Sequence, residues 1–416
     1  MIYNKHIFVV IEIKMPIKFL SILLFCLVVF PKNSKGENPA PRTLHPAPFA
    51  LHPVSIPAAE RTAEYFPLLK GKRIGLFSNH TGVVGNEHLV DLLKREGFQV
   101  VVIFSPEHGF RGNADAGEKV GDETDAKTGI PIYSLYKNST GKPDNQTMSQ
   151  IDILVTDIQD VGLRFYTYYI SMYKLMEACA DNDKPMLILD RPNPNGFYTD
   201  GPILDMKYKS GVGYLPIPVV YGMTLGELAQ MINGEKWLPE GKTCKLKIIK
   251  CENYSHDAKY NLPVPPSPNL PNMKAVYLYP STCLFEGTKV SLGRGTAFPF
   301  QVYGNPDMTG SFTFTPRSIP GAKNPPFLDQ ECHGVDLRNI PDETIWEEGL
   351  NLQYVIDAYN NLRIGEKFFT SFFEKLIGVD YVRTMIMEGK TAGEIKAKWQ
   401  PDLERFKVQR KQYLLY

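Results

Sequence analysis

Four clusters of polar residues in this chain carry side chains that could do chemistry: Asn79-His80-Thr81-Gly82, Glu107-His108-Gly109 with Arg111, Asp157 to Arg164, and Asp190-Arg191-Pro192-Asn193. Each follows a short apolar run or turn. Carboxylates, arginines and aromatics dominate them, and Asp115-Ala116-Gly117 and Glu286-Gly287-Thr288 with Arg294 add further polar loops. Carboxyl groups on either side of a bond suit glycoside hydrolysis, where one of them must be protonated to act as the acid. Glu107 is the leading acid. Pro106 ends the run before it and partial desolvation would disfavour its charge. Asp160 is the first choice for a second carboxylate and Asp157 the reserve. Arg111, Arg164, Arg191 and Arg294 could read an anionic substituent in bidentate fashion. Tyr166, Tyr168 and Tyr169 could stack on sugar rings, although at helical spacing some must face a core. Any one cluster could equally be a strand-end turn, since Asn, Asp, Gly and Pro favour turns for backbone reasons.

Other chemistries lack their residues. No Gly-x-Gly-x-x-Gly follows the first strand, so a dinucleotide site is without its fingerprint. Gly241-Lys242-Thr243 resembles the tail of a phosphate loop, but Lys236 stands where its first glycine belongs. Neither Gly-x-Ser-x-Gly nor His-Glu-x-x-His occurs. His80, His88, His108 and Asp115 are too irregularly spaced for a metal site, so no metal and no cofactor is expected.

The elements that must hold these clusters alternate. Arg73 to Ser78, Gln99 to Ser105, Ile151 to Thr156, Pro185 to Leu189 and Lys245 to Lys250 read as strands. His88 to Arg95 and Tyr166 to Cys179 read as helices, and Thr224-Leu225-Gly226-Glu227 opens another as a capping box. Strand and helix in alternation predict an α/β fold, a mainly parallel sheet with helices on both faces. All four clusters would then meet at the carboxyl edge of one sheet, where open α/β sheets bind ligands. Five prolines between Pro263 and Pro271 interrupt the pattern. Beyond them, short strands, loops and helical stretches near Leu350 to Leu362 and Glu366 to Leu376 suggest a smaller α+β domain.

The 416 residues, 43% of them hydrophobic, suffice for two domains. A formal charge of +1 argues against nucleic acid as a partner. Lys14 and Lys18 precede the apolar run Phe19 to Phe30, which is short for a membrane span and reads as a signal peptide over 1–36. Those residues hold five of the 46 bases and one of the 45 acids, so the remainder carries 41 against 44. The expected location is extracytoplasmic, periplasmic or secreted, with no membrane span once the signal is removed. A proline-rich linker over 37–60 follows, then domains over 61–265 and 266–416. The five cysteines beyond the signal show no Cys-x-x-Cys spacing. Cys244 and Cys251 could pair, or all five could be buried thiols.

The motifs are recognisable as a set. Ser105 to Gly112, Asp115-Ala116-Gly117-Glu118, Asp157 to Gly162, Arg164 to Tyr168, Asp190 to Pro194, Pro266 to Asn269, and Glu286-Gly287-Thr288 with Gly293 to Thr296 together resemble the exo-β-N-acetylmuramidase NamZ family, long grouped as a domain of unknown function. The resemblance runs from about Arg61 to Tyr416. Leu163 and Lys289 depart from its pattern. It implies a Rossmann-like domain, a smaller C-terminal domain completing a cleft, and an exo-acting hydrolase. Such an enzyme releases terminal β-1,4-linked N-acetylmuramic acid from the non-reducing end of peptidoglycan-derived saccharides. The family's proposed catalytic glutamate falls on Glu107. Asn79, His108, Arg111, Asp115, Arg164, Tyr166, Arg191, Glu286 and Arg294 are the expected substrate contacts, the lactyl carboxylate of muramic acid being the arginines' target. The competing reading is a non-catalytic periplasmic protein that captures cell-wall fragments.

Overall fold

The computed structural model describes residues 54–106, 110, 123–135 and 140–416. Seven strands make the central sheet: β1 (Arg73–Ser78), β2 (Gln99–Ser105), β3 (Glu123–Thr124), β4 (Pro131–Ser134), β5 (Ile153–Asp157), β6 (Met186–Leu189) and β7 (Leu246–Ile249). Their order is β3-β4-β2-β1-β5-β6-β7, parallel throughout except for the outer β3–β4 pair. The α/β arrangement expected from the alternating pattern is the one observed.

Alternation along each strand decides which helices cover which face. Ile74, Leu76, Ile103, Ile153, Val155, Leu187 and Leu189 bury against Tyr65 and Leu69 of α1 (Thr62–Leu69) and Leu89, Leu92 and Leu93 of α2 (Leu89–Arg95). Phe77, Val102, Phe104, Leu154, Met186 and Ile188 point the other way. There they meet α3 (Tyr168–Asp181) and α4 (Leu225–Gly234). A two-residue period shared between two cores is what a doubly covered parallel sheet requires. The strand order places a topological switch between β1 and β5. The chain moves outward from β1 to β2 and β4, then returns to β1's other side. Crevices form at such points, beyond the carboxyl ends of the strands.

The capping box is present at the head of α4. The Thr224 hydroxyl accepts from the Glu227 amide, and the Glu227 carboxylate accepts from the Thr224 amide at 2.9 Å. Thr224→Ala is expected to lower stability by about 1–2 kcal/mol, measured as the shift in a urea unfolding midpoint at constant m.

Past the proline-rich segment, β8 (Val302–Asn305), β9 (Phe312–Phe314) and β10 (Cys332–Asp336) form an antiparallel sheet with β10 central. Around it lie α5 (Met273–Thr282), α6 (Asp342–Glu348), α7 (Gln353–Leu362), α8 (Phe372–Ile377), α9 (Tyr381–Met387) and α10 (Ala392–Arg410). The continuous helix suggested over Glu366 to Leu376 is instead a 3₁₀ turn, Gly365–Phe368, followed by α8. The described residues pack as one compact unit, because the helices past the prolines share a core with α3 and α4. Polar ties reinforce this. Asp200 accepts from Trp399 Nε1, Lys396 Nζ and the Leu350 amide. The last described residues fold back onto α4 and the β6 end: the Leu415 amide donates to Glu227 and the Tyr416 hydroxyl to Asp190. All five described cysteines, Cys244 and Cys251 included, are buried free thiols.

Candidate active site

The residues that follow β1, β5 and β6 meet at the carboxyl edge of the sheet. Ser78 and Asp157 are register partners, so the residues after them leave the sheet side by side. Asn79 is fully buried and acts as a tie. Its Oδ1 accepts from the amide and hydroxyl of Thr81, and its Nδ2 donates to the Tyr168 hydroxyl at 2.9 Å. Thr81 in turn accepts from the Gln159 amide. The β1 loop, the β5 loop and the first turn of α3 are thereby locked together. Gly82 fits only because a Cβ there would sit 2.1 Å from Ser78 Oγ.

Two of the four arginines expected to read substrate do something else. Arg191 pairs with Asp157 through both oxygens, Nε at 2.6 Å and Nη2 at 3.0 Å, and Nη2 also reaches the Val83 carbonyl. Both side chains are essentially out of solvent. A buried pair of this kind is stable only while both charges remain, so it braces the β5 and β6 ends against each other. Both Asp157 oxygens are thereby engaged by the Arg191 guanidinium and held out of solvent, which sets Asp157 apart from Asp160 as a candidate carboxylate. Arg164 is fully buried and donates to four backbone carbonyls, those of Pro202, Ile217, Leu376 and Ile377. Burial pushes its guanidinium down to about 10. It pins the α8 end to the segment after β6 and presents no face to a ligand.

Asp160 differs from both. Its Oδ1 accepts from the Gly162 amide and the Tyr221 hydroxyl, each at 2.6 Å, while Oδ2 is buried with no hydrogen-bond partner. Burial lifts its carboxyl to about 7, against the opposing pull of those donors. Asp190 lies at the end of β6. It accepts from Thr224 Oγ1 (2.6 Å), Tyr416 (2.8 Å) and the Gly226 amide (3.0 Å), and burial raises it to about 6. Asp160, Asp190, Arg191, Asn193 and Thr156 line a cavity of about 10 Å³, roughly the size of one water molecule.

An aromatic ladder runs from this edge toward the residues past the prolines. Tyr166 packs on Tyr168 and Tyr279, and Tyr279 packs on Phe300. The Arg294 guanidinium sits 5.0 Å from the Phe300 ring and donates twice to Glu286 Oε1. The Tyr166 hydroxyl is committed to the Pro266 carbonyl at 2.7 Å and its ring is 7% exposed, so it offers no open platform to a sugar. Glu286 and Arg294 keep roughly a quarter of their side-chain surface open. His80 Nε2 lies 2.9 Å from the Pro265 carbonyl. Glu107, His108, Arg111 and Asp115 lie outside the described residues. The strand that leads to Glu107 is described as far as Ser105 and Pro106, both buried, beside β1 and at the same edge.

Among the described residues no group of three His, Cys, Asp or Glu side chains is placed to hold a metal ion. Sequence reasoning missed Tyr221 and Tyr416 as carboxylate partners. Both belong to segments without periodicity, and only the folded chain brings them to the β5 and β6 ends.

Comparison with known proteins gives a consistent picture. The models "Exo-beta-N-acetylmuramidase NamZ, N-terminal" and "Exo-beta-N-acetylmuramidase NamZ, C-terminal" match residues 74–274 and 277–416. A peptidoglycan beta-N-acetylmuramidase NamZ of Bacillus subtilis (strain 168) is 39% identical over 374 residues, covering 85% of this chain and 89% of its own. The crystal structure of a DUF1343 family protein from Bacteroides fragilis NCTC 9343 is 65% identical, with a TM-score of 0.83 over 88% of this chain and 99% of that one. A second DUF1343 structure from the same organism is 27% identical, with a TM-score of 0.75 over 87% and 99%.

Proposed function

The chain belongs to the exo-β-N-acetylmuramidase NamZ family, and from that premise we propose how its carboxylates divide the work. The protein is a glycoside hydrolase, an exo-β-N-acetylmuramidase acting on peptidoglycan-derived saccharides. Hydrolysis needs one carboxyl group to protonate the departing oxygen and a second to serve at the sugar's other face. Glu107 takes the first role. It directly follows the buried strand end Ser105–Pro106. Asp160 takes the second. The observation that carries this assignment is its carboxyl, lifted to about 7 by burial, with one oxygen held and the other unpartnered, in a residue that lines the cavity at the ends of β5 and β6. A group that titrates near neutrality can exchange a proton at working pH, which a carboxylate locked to an arginine cannot.

With Arg164 and Arg191 committed inside the protein, recognition of the lactyl carboxylate falls to Arg111 and Arg294. Arg294 is partly open and already oriented by Glu286. The division into 61–265 and 266–416 follows the proline-rich break, with the cleft between the sheet edge and the loops bearing Glu286 and Arg294. Residues 1–36 act as a signal peptide that sends the enzyme to the cell-wall compartment. No helix among the described residues is long and apolar enough to cross a membrane.

The test is a pair of chromogenic substrates, a β-N-acetylmuraminide and the matching glucosaminide, which lacks only the lactyl group. Cleavage of the muraminide is expected to exceed that of the glucosaminide by ten- to a hundredfold in kcat/KM, about the worth of one charge-assisted hydrogen bond. Equal rates on both would refute the lactyl assignment. Binding of the muraminide without turnover would refute the catalytic one.

A further inference from the structure

Tyr221 has no catalytic role in the proposed function, yet its hydroxyl is aimed at Asp160, one of the two carboxyl groups that the reaction needs. We propose that Tyr221 is a positioning residue for the reaction: with the Gly162 amide it occupies Oδ1 of Asp160 and so makes Oδ2 the oxygen on which the carboxyl proton sits and from which it leaves. This rests on the reading of Asp160 as the second carboxylate and adds the device that orients it.

The geometry is one-sided. Oδ1 receives two donors at 2.6 Å, one from the loop's own backbone and one from a side chain 61 residues away. An oxygen already accepting two hydrogen bonds cannot also carry the proton without turning a donor away. Oδ2 has no such partner, and Asp160 lines the water-sized cavity together with Thr156, whose hydroxyl is likewise buried and unpartnered. The proton therefore belongs on Oδ2. Gly162 is fixed in this role. Its φ is +75°, and a Cβ there would lie 2.2 Å from Asn193 Nδ2. Tyr221 is fixed as a donor, because burial and the nearby Asp160 hold its phenol well above the usual tyrosine range. The other titratable or charged groups facing Asp160 are Tyr166 just before α3, Tyr169 in its first turn, and Asp190 and Arg191 across the cavity. Among them only Tyr221 donates directly to the carboxyl group.

Tyr221→Phe keeps the ring and removes one donor to Oδ1. That donor favours the ionised carboxylate, so its loss must raise the Asp160 pKa further. The limb of the kcat/KM–pH profile that reports Asp160 is expected near 7 in the wild type and about one pH unit higher in Tyr221→Phe. KM should stay nearly constant while kcat falls, because Tyr221 is buried and touches no substrate. Tyr169→Phe is the matched control. Its hydroxyl is also buried and accepts from the Tyr214 amide, so its loss disturbs the same layer without removing a donor to Asp160. A shifted limb in Tyr221→Phe with an unshifted one in Tyr169→Phe supports the inference. Equal shifts in both, or no shift in Tyr221→Phe while Asp160→Asn is inactive, overturn it and leave the site reading standing. An active Asp160→Asn overturns the site reading, and this inference with it.

Discussion

Glu107→Gln is expected to lower kcat on the natural disaccharide by about 10²- to 10⁴-fold, the range that a positioned general acid contributes. Glutamine keeps the size and polarity of the side chain but cannot deliver a proton, so KM and the melting temperature should change little. A diagnostic follows from the leaving group. A nitrophenolate departs with little protonation, so the deficit on an activated aryl muraminide should be smaller than on the disaccharide. Equal deficits on both substrates would mean that Glu107 acts elsewhere than on the leaving oxygen. A disaccharide rate near that of the wild type would remove it from the chemistry, with Asp160 the next acid to test.

The second large effect is on stability. Arg191→Met removes one half of a bidentate pair whose members are 2% and 0% exposed. The remaining carboxylate would be buried opposite no cation, at a cost of about 3–5 kcal/mol. Adding Asp157→Asn removes the orphaned charge, and the double variant is expected to recover at least half of the loss. Chemical unfolding of the two single variants and the double gives the coupling directly. A single Arg191→Met variant within about 0.5 kcal/mol of wild type, the usual range for an inconsequential surface change, would show that the pair is not a brace.

The sheet was legible in the sequence because its inner strands obey a simple rule. Runs such as Ile153-Leu154-Val155 and Met186-Leu187-Ile188-Leu189 are apolar at every position, as a strand covered on both faces must be. β3 and β4, the strands outside β2, broke that rule. β4 begins at Pro131, which looks like a turn, and β3 is two exposed polar residues. α10 went unseen for a related reason. Of its nineteen residues only Ile395, Trp399, Leu403 and Phe406 are buried, a stripe too thin to stand out, and Pro401 sits inside it. At the site, the clusters were legible, and so was the meeting at one edge of the three that lie among the described residues. Their internal pairing was not. Asp157, Asp160, Arg164 and Arg191 look alike as residue types, and only partners from distant segments separate them. Arg191 took Asp157, carbonyls from α8 took Arg164, and Tyr221 took one oxygen of Asp160.

The return of Tyr416 to Asp190 spans 226 positions of chain. Chains are synthesised at about 5–20 residues per second, so the β6 edge exists for on the order of ten to fifty seconds before its last hydrogen-bond donor is made. Throughout that interval Asp190 and Glu227 lack the tail that clamps them, and the edge that carries the candidate site is unfinished. Completion of the site is thus tied to completion of the polypeptide up to Tyr416, a timing built into the fold itself. A hydrolase directed at the wall stays incomplete until that stretch of its chain has been made.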